Sequence, residues 1–65
     1  MHLTHTEELL IDGLKLFGVN GETIIGIMMF LNTEELQNQM IDYLMDNSKA
    51  TEQDILLEMK RICRG

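Results

Sequence analysis

The sequence predicts an all-α domain, a compact bundle of four short helices with an apolar second helix at its centre. Three observations carry that expectation. Apolar residues recur every three or four positions, and no stretch alternates as a half-buried strand would. Each periodic segment opens on a helix-start signal. The chain contains no proline, so no ring removes a backbone donor from a helix interior.

The first helix is expected over residues 5–17. Thr4 with Glu7 three residues on has the pattern of a capping box. Leu3, Leu10, Leu14 and Phe17 share one stripe, flanked by Ile11 on one side and by Leu9 and Leu16 on the other. Glu8, Asp12 and Lys15 fall opposite and should be solvated. Gly18 ends the helix, and Asn20-Gly21 is a turn dipeptide whose asparagine can cap the next helix.

The second helix is expected over residues 22–31. Its apolar side chains leave only a narrow polar strip at Glu22 and Gly26, the pattern of a helix buried on all sides. Gly26 within it implies either a helix crossing close by or a tolerant site.

Asn32, capping with Glu35 behind it, opens a third helix over residues 34–46. Leu36, Met40, Tyr43 and Leu44 form its inner face and Ile41 an edge. Glu35, Asn38, Gln39, Asp42 and Asp46 form the wet face. After a loop at Asn47 to Ala50, Thr51 with Asp54 caps a fourth helix over residues 52–63. Ile55, Leu56, Met59 and Ile62 line one side of it. Lys60, Arg61 and Arg64 complement the dipole at its end.

With 65 residues the whole chain, 1–65, reads as one domain. Chains below about 70–80 residues usually lean on disulfides, a metal or a partner subunit. A single cysteine, Cys63, cannot close an internal disulfide and suits a reducing cytoplasm. His2 and His5 cannot build a zinc site alone, and they read as solvated imidazoles. Hydrophobic residues make up 45% of the chain, which leaves self-association as the expected support, with a homodimer as its form.

Charge narrows the partners. Eleven acids against five bases give a net charge of −6, which opposes binding to nucleic acid and to anionic membrane. The longest apolar stretch, Ile24 to Leu31, falls far short of the roughly 20 residues of a membrane span. The first residues lack the basic and apolar regions of a secretory signal. A calcium loop aligned on Asp46 would place Thr51 where a glycine is needed and Leu57 where a bidentate glutamate is needed. The lone serine, Ser48, lacks the Asp-Ser-Leu setting of a modified carrier serine. No acid and base pair is sequestered in apolar sequence, so neither an enzyme nor a cofactor is expected.

Leu14-Lys15-Leu16-Phe17-Gly18-Val19-Asn20-Gly21-Glu22-Thr23-Ile24 resembles the centre of a DNA-binding helix-turn-helix. The resemblance implies that residues 22–31 form a recognition helix. That helix contains no Lys or Arg to meet phosphates or base edges. Ile41-Asp42-Tyr43-Leu44 followed by Ala50 to Leu56 is similar to the first two helices of winged-helix proteins, but no third helix and wing follow before Gly65.

The leading expectation is therefore a non-enzymatic helical interaction module, self-associating or docking on a larger protein. A small helix-turn-helix-like regulator is one alternative. The other is an acidic decoy of a nucleic-acid-binding surface, with Glu35, Asp42 and Asp46 imitating phosphates. Met29, Phe30, Met45 and Leu57 fall off the main apolar faces and are the candidate interaction residues.

Overall fold

The computed structural model describes residues 3–64, so His2 lies outside the described residues. Four helices follow one another: α1 (His5–Leu16), α2 (Gly21–Phe30), α3 (Glu34–Asp46) and α4 (Glu52–Arg64). No strand occurs among the described residues, and every helix end lies within one residue of its expected place.

Local chemistry accounts for these ends. The Thr4 side chain accepts from the Glu7 amide at 3.1 Å while the Glu7 carboxylate accepts from the Thr4 amide at 2.9 Å. Thr51 and Asp54 repeat this exchange at the start of α4, at 3.1 and 3.2 Å. Asn20 caps α2 through the Glu22 amide at 2.8 Å. The cap of α3 is Thr33 rather than the expected Asn32, with its hydroxyl accepting from the Leu36 amide. At the other end of α1, Gly18 has φ of 80°. Its amide donates to Lys15, and the Val19 amide donates to Leu14. These two bonds make a Schellman turn, which needs a left-handed residue at Gly18 and folds Val19 back onto Leu14 in the core.

The helices close a ring in the order α1, α3, α4, α2, each packing on two others. The pairing of α1 with α3 is the most extensive. Thr6 donates to Glu34 at 3.0 Å near one end of that pair, and Leu44 lies nearest Gly13 further along. The two helices therefore run in the same sense. So do α2 and α4. The Asn20 amide donates to the Glu52 carboxylate at 3.0 Å at their starts, and the Cys63 thiol points at the Phe30 carbonyl at their ends. The molecule is thus two helical hairpins, α1–α2 and α3–α4, laid on one another in the same direction.

Leu10, Leu14, Ile24, Ile27, Leu31, Met40, Leu44, Ile55, Met59 and Ile62 fill the space inside the ring. No helix is central, and α2 in particular is not enclosed on all sides. It buries Ile24 and Ile27 and leaves Ile25, Met29 and Phe30 in solvent. The reason is geometric: α2 touches α1 and α4 but not α3, so only part of its circumference is covered. No helix crosses at Gly26, where an added Cβ would meet nothing within 4 Å.

The inner face of α3 is also turned from its expected centre. Gln37, Met40 and Leu44 are buried, whereas Leu36 and Tyr43 are only partly so. Gln37 is 3% exposed, and its side-chain amide donates to the Leu31 carbonyl at 2.8 Å. It thereby satisfies an acceptor at the end of α2, where no basic residue stands in the last turn.

Candidate interaction surfaces

The four candidate residues are all solvent-exposed, from 58% at Leu57 to 76% at Met45. The ring separates them. Met29 lies on the side of α2 that turns toward α1, in a groove of about 550 Å³ shared with Ile11, Lys15, Ile24, Ile25 and Met28. Phe30 stands on the opposite flank of α2, next to α4, where its carbonyl faces Cys63. Met45 lines a different groove, between α1 and α3, with Leu9, Phe17 and Ile41. Leu57 projects from the outer side of α4 among Lys60, Arg61 and Arg64. A single apolar face holding all four does not form.

Four further exposed hydrophobic residues, Leu3, Leu9, Leu16 and Ile25, are not marked as surface candidates by periodicity. Leu3 shares the expected stripe of Leu10 and Leu14 but precedes α1 and stands in solvent. Ile25 is masked by the apparent all-round burial of α2. The pattern of α1 puts Leu9 and Leu16 on the flank of a buried stripe, yet both stand in solvent. On a wheel both lie well away from the Leu10–Leu14 direction, which is the signal that could mark them.

The opposite end of the stack, between α3 and α4, is polar. Gln39, Asp42, Tyr43, Asp46, Glu58 and Arg61 line its groove. The Arg61 guanidinium grips the Glu58 carboxylate in a forked pair, Nε to Oε1 at 2.9 Å and the second nitrogen to Oε2. The hydrogen bond from Arg61 lowers the Glu58 carboxyl below its ordinary range, partial burial opposes that shift, and the charge of Arg61 adds to it. Glu35, Asp42 and Asp46 are all solvent-exposed, and only Asp42 and Asp46 reach this groove.

The turn that resembles a helix-turn-helix does join two packed helices. The exposed positions of α2 are Gly21, Glu22, Ile25, Met29 and Phe30, none of them cationic. Lys60, Arg61 and Arg64, three of the five bases, sit on α4 instead. His5 and Cys63 are exposed, and no group of three or more His, Cys, Asp or Glu among the described residues is placed to hold a metal ion. No helix among the described residues is long and apolar enough to cross a membrane.

No family model matches the chain, and no curated protein or solved structure matches it.

Proposed function

We propose that the protein is a non-enzymatic interaction module that packs an exposed helix face against another protein surface, a second copy or a larger partner. The observation that supports this most is the outer side of α2, where Ile25 and Met29 stand in solvent one turn apart above the partly buried Met28. Scattered exposed leucines are ordinary on a soluble domain. A contiguous groove lined by Ile11, Ile24, Ile25, Met28 and Met29 is what helix-in-groove recognition uses.

The test compares the wild type with a variant carrying Ile25→Gln, Met29→Gln, Met45→Gln and Leu57→Gln, its helicity checked by circular dichroism. Sedimentation at tens of micromolar reads self-association, and retention of native-source proteins on the immobilised domain reads partners. The wild type should form a complex, with itself or with another protein, that the variant loses. A wild type that sediments as a single chain and retains the same proteins as the variant overturns the reading.

A further inference from the structure

We infer that the groove between α1 and α2 receives an amphipathic helix of another protein, one that carries Lys or Arg beside its apolar stripe. The inference rests on the interaction-module reading and names its partner. The stack of two hairpins has two ends, and they differ in chemistry. At the α3–α4 end, carboxylates, Tyr43 and the Glu58–Arg61 pair meet solvent, as on the closing unit of a helical stack. At the α1–α2 end, the groove is walled by Ile11, Ile24, Ile25, Met28 and Met29, with Lys15 the one charged residue in its lining. Inside the molecule the second hairpin lies on the first and covers such a face; on the outside no element of the described chain does. Methionine side chains adapt to differing apolar shapes, and two of them line this groove.

Charge selects among occupants. Glu8 and Asp12 are exposed and share the outer side of α1 with Ile11 and Lys15, at spacings of three and four. Glu22 is exposed one turn before Ile25 on the same side of α2. Lys15 lines the groove itself, and these three exposed acids stand in the turns beside it. A second copy set face to face would oppose these acids with the same acids, and each chain already carries −6. A cationic helix places opposite charges on them while its apolar stripe enters the groove. α1, at 12 residues, offers about 18 Å of contact, enough for roughly three turns of such a helix.

The probes are two synthetic helical peptides with the same leucine stripe, one flanked by lysines and one by glutamates. Fluorescence anisotropy measures their binding to the 65-residue protein at low and moderate salt. The lysine peptide should bind more tightly than the glutamate peptide by roughly tenfold or more, and added salt should weaken it. Ile25→Gln with Met29→Gln should weaken lysine-peptide binding by a similar factor, while Leu57→Gln leaves it unchanged. Glu8→Gln, Asp12→Gln and Glu22→Gln together should erase the preference for lysine. Equal binding of both peptides overturns the inference. So does lysine-peptide binding indifferent to Ile25 and Met29, which would be attraction to an acidic protein at large. A wild-type dimer that Ile25→Gln with Met29→Gln dissociates also overturns it, by assigning the groove to a second copy. In that last case, or where the peptides fail but retained partners still depend on the apolar surface, the interaction-module reading survives alone.

Discussion

The side-chain amide of Gln37 donates to the carbonyl oxygen of Leu31 across 2.8 Å, both residues being buried. The bond ties the start of α3 to the end of α2, two helices whose backbones do not lie against one another. The other side-chain oxygen of Gln37 is buried without a hydrogen-bond partner. Gln37→Leu should destabilise the domain by about 1–3 kcal/mol, because the Leu31 carbonyl is left unpaired. Gln37→Glu should be worse at neutral pH, since a buried carboxylate cannot donate. Burial raises the folded pKa of the new carboxyl, so this variant should lose stability as pH rises through that raised value and recover it in acid. Urea unfolding at several pH values reads both; a Gln37→Leu variant as stable as the wild type would deny the bond a role.

Two isoleucines two positions apart on α2 should behave oppositely. Ile27 is 1% exposed, so Ile27→Asp buries an unpaired carboxylate at a cost of several kcal/mol and should unfold the domain. Ile25→Asp places the same charge in solvent and should keep the helical circular dichroism and most of the melting temperature.

Two glycines should respond to alanine with opposite signs. Gly18→Ala forces a side chain into the left-handed region and should cost about 1–2 kcal/mol, although no atom lies within 4 Å of the added Cβ. Gly26→Ala, equally free of neighbours but in a helix interior, should stabilise by about 0.5–1 kcal/mol. Thermal unfolding of the two variants decides this, and a destabilised Gly26→Ala would mean that α2 is packed more closely there.

The contact between the Asn20 amide and the Glu52 carboxylate joins the turn of the first hairpin to the start of α4. Glu52→Ala should destabilise by about 0.5–1.5 kcal/mol. Glu52→Gln keeps an acceptor oxygen and should retain much of that stability. Equal losses in the two variants would show that charge at the start of α4, rather than the bond, matters.

Acid should weaken the Glu58–Arg61 pair. The Glu58 carboxyl sits below its ordinary value in the folded chain, so the pairing adds stability above about pH 4.5 and loses it as pH falls through the lowered folded value. Arg61 is largely solvent-exposed, so the effect is small. Arg61→Gln should flatten this acid-side dependence of the unfolding midpoint. An unchanged profile would mean that the pair is too mobile to couple to folding.

Helix ends are legible in the sequence because their chemistry is local. Thr4 with Glu7, Asn20 before Glu22 and Thr51 with Asp54 each act within three residues, and all three form. The facing of helices is legible only where one apolar stripe dominates, as for Ile55, Met59 and Ile62 on α4. On α2 nearly every position is apolar, so nothing in its pattern says which flank is covered; that depends on where α1 and α4 lie. On α3 the need to touch both α1 and α4 turns Gln37 inward, and its value lies in a carbonyl six residues earlier. The surface candidates stand out one by one as side chains off a stripe. Their separation into distinct grooves depends on the ring order, which periodicity does not encode.

That ring order also bears on how the chain matures during synthesis. α1 finds its most extensive partner in α3, and α2 leans on α4. A nascent chain ending near Leu31 has its caps and its turn, but the residues that would cover Leu10, Leu14 and Ile27 are not yet made. The first hairpin is therefore no autonomous folding unit. On the ribosome its apolar face stays open until α3 and α4 have followed, so the core closes only when both hairpins are present.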